Sequence, residues 1–375
     1  MRNLIVCFIS VLFFVACRGG AVGSGADVAL ASANSYAKGF TVSVNDGYTV
    51  VDVINPWDTL KVLHRYVLVP KSASLPDSLP EGTLLRTPLK RVAVYAALHC
   101  GVIKELGVID NVVGICDAYY VADTMIKARI SSGKIANLGD SFVPDIEKII
   151  ELQPEAVILS PYRDGSYGKV SQLGVPLVEF ADYMENTPLS RTEWIKFMGL
   201  LFGKEYEADS VFIDTERRYK ELAKIGSCVK IRPTLFAEMK TGSVWYQPGG
   251  GSYMAALYND AGINYLWRER SETGSVALSF EEVLERAAHA DLWIFKYGRE
   301  NENMTLSLLK EEFAPYSNFD AFKKGNVWGC NGLKVSFYED LPVHPDRALR
   351  DLLMIAHPEL FSKNDTTLYF KHLAK

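Results

Sequence analysis

The sequence predicts an α/β protein: two Rossmann-like lobes with parallel sheets, joined by a helical backbone connector and preceded by a short β-rich N-terminal extension. Three observations carry this expectation. Asp145-Ile146-Glu147-Lys148-Ile149-Ile150-Glu151 and Ser279-Phe280-Glu281-Glu282-Val283-Leu284-Glu285 spell nearly the same helix entrance. Each has a capping residue, an apolar residue, a carboxylate at the second helical position and then an inward apolar pair. A buried-strand pattern follows each, Ala156-Val157-Ile158-Leu159 and Leu292-Trp293-Ile294-Phe295, so helices and strands alternate as in crossover-connected parallel sheets. Between the two copies, residues 190–225 hold no proline and no strand pattern, only apolar residues at helical spacing that is interrupted around Gly203.

Composition permits one large or two medium cores. The 375 residues are 48% hydrophobic and 23% charged, which carries no disorder signature. The net charge of −5 is spread without runs of like sign. Neither a nucleic-acid footprint nor a basic membrane-binding face is therefore expected.

Taken in chain order, residues 1–17 read as an export signal. Arg2 precedes an apolar run from Leu4 to Val15 that is short for a membrane span, and Val15-Ala16-Cys17 closes it. This resembles a bacterial lipoprotein signal, which implies lipidation at Cys17 and a location on the periplasmic side of a bacterial membrane. Residues 18–39, rich in Gly, Ala and Ser, read as a flexible tether. Residues 40–88 form the β-rich extension, with alternation in Thr41–Val44, a turn at Asn45-Asp46-Gly47 and extended chain beyond.

The N-terminal lobe is expected over 89–189, with strands at Arg91–Tyr95 and Val112–Cys116, a helix from His99 stopped by Gly107, and then the Asp145 helix. A connector over 190–226, if straight, would reach roughly 50 Å at the helical rise. The C-terminal lobe, 227–375, repeats the scheme with a strand at Thr234-Leu235-Phe236 and a helix from Ser252. Cys100, Cys116, Cys228 and Cys330 form no C-x-x-C pair; an exported location permits disulfides in any of three pairings, and buried free thiols are the default reading.

From Leu89 to Leu360 the chain resembles the helical-backbone class of substrate-binding proteins that serve ATP-driven importers of iron-siderophores, haem and cobalamin. The most specific residues are Asp145 to Glu155, Val244-Trp245-Tyr246-Gln247-Pro248-Gly249-Gly250-Gly251-Ser252, and the tail from Leu341-Pro342-Val343-His344-Pro345 to Leu360. The resemblance implies capture of a metal chelate between two lobes and delivery to an ABC permease and its ATPase. It also implies a monomer without enzymatic activity or a resident cofactor. A glutamate on each lobe of that class docks on permease arginines, and Glu147 and Glu281 are the matching positions. Glu282 completes a capping box with Ser279 and is read as structural.

In two α/β lobes the ligand belongs at the C-terminal strand ends. The loops expected there are aromatic: Tyr119 and Tyr120, then Tyr162, Arg163 and Tyr167 on the first lobe, and Trp245, Tyr246, Lys296 and Tyr297 on the second. Rings with polar tips suit a large planar or aryl-bearing ligand, and Arg163 or Lys296 suits its carboxylates or catecholates. Roughly half of such aromatics are expected to pack into the fold instead. An iron-siderophore is the expected ligand, with haem and cobalamin as alternatives. The six histidines lack metal-ligand spacing, so no protein metal site is expected. His99, at the start of a helix, could face the cleft, where it or a loop tyrosine could ligate haem, but a lone histidine is more often merely hydrogen-bonded.

A rival reading is an exported α/β enzyme acting on a small anionic substrate, with Gly249-Gly250-Gly251 as an anion cradle and Ser252 as a nucleophile. The segment lacks the closing glycine of a G-x-S-x-G elbow, and no G-x-x-x-x-G-K-[ST] loop occurs. A third reading, a purely structural surface lipoprotein, predicts no small-molecule binding.

Overall fold

The computed structural model of the chain describes residues 34–163, 165 and 167–375. The expected signal, Cys17 and the tether up to residue 33 lie outside them. Each lobe is built on a five-stranded sheet. In the N-terminal lobe the order is Leu177–Glu179, Ala156–Leu159, Val92–Val94, Val112–Ile115, Ala136–Asn137, all parallel. In the C-terminal lobe it is Asn264–Tyr265, Thr234–Ala237, Leu292–Tyr297, Val327–Asn331 and an antiparallel Lys371–His372. The central strands are buried on both faces, which is why they read as short continuous apolar runs.

Both duplicated helix entrances form, but the expected inward apolar pair holds only for its first member: Ile149 and Val283 are buried, whereas Ile150 is 57% exposed and Leu284 only partly buried. Asp145 caps Ile146–Leu152 by accepting the Lys148 N–H at 3.0 Å, and Ser279 caps Phe280–Ala287 by accepting the Glu282 N–H at 3.2 Å. Glu282 returns a bond to the Ser279 N–H at 2.7 Å, completing the capping box.

The connector is interrupted at Gly203, as expected, and also at Trp194. It breaks into Pro188–Glu193, Ile195–Phe202 and Glu205–Cys228, with Gly203 in the left-handed region ending the second helix. The longest piece, 24 residues, spans about 36 Å at the helical rise. It threads two cores: Ala208 and Phe212 pack with the N-terminal lobe, Tyr219 with the C-terminal lobe. Gly226 lies against the Asp260 carbonyl, where an added Cβ would stand 2.0 Å from the oxygen.

The four-stranded sheet of Phe40–Asn45, Tyr48–Ile54, Val62–Pro70 and Thr83–Thr87 is not a separate body. Phe40, Val51, Val53, Tyr66, Leu68 and Leu85 share one core with the N-terminal lobe and the Ile195–Phe202 helix. The Tyr66 hydroxyl accepts the Glu179 N–H at 2.8 Å and donates to the Leu177 carbonyl at 3.1 Å, covering the edge strand of the lobe.

Residues 35–39, expected within the tether, are held to the fold by backbone hydrogen bonds. Glu193, fully buried, accepts the N–H groups of Ser35, Tyr36 and Ala37 at 2.8–2.9 Å, and Glu185 accepts those of Lys38 and Gly39 at 3.0 and 2.8 Å. Buried carboxylates require donors, and this stretch of backbone supplies them. Among the described residues no helix is long and apolar enough to cross a membrane. Cys100, Cys116 and Cys330 are buried free thiols, while Cys228 is free and exposed.

Candidate functional site

Strand order locates the site. In the N-terminal lobe the direction of winding reverses between Val92–Val94 and Ala156–Leu159, and in the C-terminal lobe between Thr234–Ala237 and Leu292–Tyr297. Crevices open beyond the carboxyl ends of strands at such points. Three contiguous hollows occupy that position here. One of about 260 Å³ lies over the N-terminal switch point, lined by Tyr95, Ser160, Tyr162 and Tyr167, with Asp117. It shares Ala96 and Asp117 with a hollow of about 450 Å³, where Tyr120 of the first lobe faces Lys296, Tyr297 and Tyr338. Lys296 in turn joins this to a third, about 510 Å³, lined by Tyr183, Glu238, Tyr246 and Tyr253.

The C-terminal switch point carries a salt bridge. Glu238 directly follows the buried Thr234–Ala237 strand in left-handed backbone, φ 58°, and its carboxylate holds the Lys296 ammonium from the adjacent strand. Burial acts to lower the lysine pKa, and the Glu238 carboxylate more than offsets this, so the ammonium stays charged. Lys296 thus lines the cleft as expected, but without the unopposed charge that a catecholate or carboxylate would need. Asp117, the opposing acid, is also left-handed at φ 53° and accepts the Ser141 N–H at 3.1 Å.

Aromatic side chains supply most of the remaining wall. Tyr162 and Tyr167 meet edge to face at 5.7 Å, and the Tyr167 hydroxyl donates to Glu179 at 2.6 Å. Burial pushes the phenols of Tyr183 and Tyr338 up to about 12, so both remain donors at neutral pH. Tyr119 packs edge to face on Tyr120 at 5.4 Å and lies outside the linings of these three hollows. Arg163 is exposed on the loop beyond Tyr162 and lies outside the described linings.

Trp245 is a correction. The segment read as a loop is the strand Val244–Pro248, antiparallel to Lys240–Thr241 and Ser275–Leu278. Alternation along it sends Tyr246 to the cleft and Trp245 into the core, against Phe236, Trp293, Tyr316 and Phe319 at 5.5–5.9 Å. The indole N–H donates to the Ala237 carbonyl at 3.0 Å, leaving nothing for a ligand.

His99 lies in the core, the ordinary place of a lone histidine. It is wholly buried, edge-on to Phe180, with Nε2 3.4 Å from the Ser160 hydroxyl. Burial, assisted by the Arg191 charge, lowers its pKa to about 3. It is a neutral core histidine. Among the described residues no group of three or more His, Cys, Asp or Glu converges as a metal ion would require.

The rival nucleophile also resolves into structure. Ser252 is buried as the N-cap of Tyr253–Asp260, its hydroxyl donating to the Gly249 carbonyl at 2.6 Å. Gly249 and Gly250 lie against the carbonyls of 268–274, where any Cβ would stand 2.1–2.3 Å from oxygen. Close backbone approach explains these glycines.

Glu147 and Glu281 are exposed at the second position of their helices, and among the described residues neither has a side-chain partner. Each follows a cleft-lining residue in the chain, Pro144 and Ser275 respectively. The residues that sequence reading missed are Glu238, Tyr183, Tyr253 and Tyr338. An acid immediately after the buried triplet Leu235-Phe236-Ala237 was the available signal for the first. Tyr183 follows the Leu177–Glu179 strand, too short to register as a pattern.

Comparison with known proteins agrees with this architecture. The model of the periplasmic binding protein family matches residues 92–332. An uncharacterized lipoprotein of Methanocaldococcus jannaschii is 30% identical over 301 residues, covering 77% of this chain and 70% of that protein. A solved structure titled as an ABC-type Fe3+-hydroxamate transport system, from Saccharomonospora viridis, superposes with TM-score 0.56 at 19% identity, over 73% of this chain and 94% of that one. A periplasmic heme binding protein of Pseudomonas aeruginosa gives TM-score 0.58 at 14% identity, over 76% and 99%. The family comprises substrate-binding proteins rather than enzymes. With two Rossmann-like lobes, a bracing helix and a cleft at both switch points, the chain belongs to the periplasmic binding protein family.

Proposed function

We propose that this protein is the extracytoplasmic substrate-binding component of an ABC importer, capturing a metal chelate between its lobes and delivering it to a permease and its ATPase. The observation that carries the reading is the continuity of three hollows across both switch points, with tyrosines on either side. A cleft of this size and aromatic character suits a ligand larger than a bare ion. Solved proteins of the same fold are titled for ferric hydroxamate and for heme, and a relative is named a lipoprotein. Within that range the proposal is an iron-siderophore, with Cys17 as the lipid-bearing residue.

Native mass spectrometry of protein purified from its own host, with an absorption spectrum, tests this. The expected result is a bound iron chelate without Soret or corrin bands. A haem or cobalamin spectrum would replace the siderophore, and a chemically altered ligand would argue against a carrier.

A further inference from the structure

Three charged side chains line the described hollows: Asp117, Glu238 and Lys296. Lys296 and Glu238 cancel each other, with side chains only 14% and 21% exposed, and the Lys296 N–H also approaches the Glu238 carboxylate at 3.4 Å. Asp117 accepts a backbone N–H but, among the described residues, has no cationic partner. The described lining of the cleft therefore carries one net negative charge. Its other polar groups include the hydroxyls of Tyr246, Tyr253 and Thr241, which can donate to carbonyl or oxime oxygens, whereas the Tyr183 hydroxyl already donates to the Pro161 carbonyl.

A second observation concerns the backbone. Asp117 and Glu238 are two of only three non-glycine residues in left-handed conformation among those described, and both border the cleft. Left-handed backbone disfavours a side chain such as glutamate, and residues so held cluster at ligand clamps. Acids at these positions keep the cleft from becoming positive.

We propose that the cleft selects metal chelates that are uncharged or carry a single positive charge and excludes multiply anionic ones. The inference rests on the carrier reading above and narrows its ligand class. A polyanion entering here leaves water for a site where its charges meet a net negative wall and a lysine already engaged. Exposed Arg163 lies outside the linings and is screened by salt. An uncharged ferric chelate with apolar arms meets rings and hydroxyls instead.

The test uses full-length protein and four probes: a neutral ferric trihydroxamate, a ferric trihydroxamate bearing one ammonium, a ferric tris-catecholate of charge −3, and cyanocobalamin. Binding is read by quenching of intrinsic fluorescence. At least one uncharged or cationic probe is expected to bind about tenfold or more tighter than the tris-catecholate. Glu238→Gln frees the Lys296 charge and should narrow that gap about tenfold, whereas Glu238→Gln combined with Lys296→Met should restore it. Tightest binding of the tris-catecholate by the wild-type protein overturns the charge selection and leaves the carrier reading intact. Failure of all four probes, with no chelate on protein from the host, overturns the carrier reading itself.

Discussion

The Glu339 carboxylate, rooted in the C-terminal lobe, accepts the backbone N–H of Ala122 in the N-terminal lobe at 2.6 Å, and that of Asp123 at 3.0 Å. The approach is close because Gly101 offers no side chain: a Cβ there would stand 2.1 Å from the Glu339 carbonyl oxygen. This clasp joins the lobes at a second place, apart from the helical connector. Glu339→Ala leaves two N–H groups without their acceptor and should cost about 2–3 kcal/mol. Burial raises the Glu339 pKa, so between its ordinary and raised values the folded state holds more protons than the unfolded state. Stability from this group therefore declines as pH rises through that window. Glu339→Gln keeps an acceptor without the charge, so relative to wild type it should be more stable at pH 7 than at pH 4. Denaturant titrations at the two values check this, and the opposite ordering would remove the buried charge from the account.

Trp245 and Tyr246, adjacent on one strand, should separate stability from binding. Trp245→Ala opens a cavity among four aromatic rings and should cost about 3–5 kcal/mol. Tyr246→Ala, at a half-exposed cleft position, should change stability by less than about 1 kcal/mol and weaken chelate binding by about 1–2 kcal/mol. Paired unfolding curves and ligand titrations distinguish the two. A stable Trp245→Ala protein would contradict its place in the core.

Acid should destabilise the protein partly through His99. Its pKa is lowered to about 3 in the fold, first by burial and then by Arg191, against about 6.5 when unfolded. Between those values the unfolded chain binds the extra proton, so stability falls as pH drops from about 6.5 toward 3, by at most about 1.4 kcal/mol per unit. His99→Leu should flatten that slope. Parallel slopes for variant and wild type between pH 7 and pH 4 would show that His99 does not titrate as described.

Docking should depend on Glu147 and Glu281. Their removal together by alanine should leave chelate affinity unchanged while uptake falls, each contact contributing about 2 kcal/mol if desolvated against arginine. Glu282→Ala should cost about 1 kcal/mol or less of stability, through the lost capping bond, and spare uptake. Uptake in cells alongside ligand titration decides it. Normal uptake by the double variant would end the docking assignment.

Anchoring should depend on Cys17. Cys17→Ala is expected to abolish incorporation of labelled fatty acid and release the protein from the membrane fraction. Persistent labelling would place the lipid elsewhere.

What the sequence alone determined is local. Capping residues and apolar period place the Asp145 and Ser279 helices and the buried strands, because these depend on neighbours a few residues away. Exposure of Glu147 and Glu281 follows from the same short-range pattern. The duplication further implied two related lobes, and the helical period of 190–225 implied the connector. What tertiary structure decided is which side of an element meets which partner. Trp245 and Tyr246 look alike in sequence, and only pairing with Ser275–Leu278 sends one inward and the other to the cleft. Lys296 reads as a lone cation until the fold brings Glu238, distant in the chain, against it. His99 at a helix start is either ligand or core, and Phe180 with Arg191 decides for core. Long-range contact sets burial, and burial sets whether a charge or ring is available to a ligand.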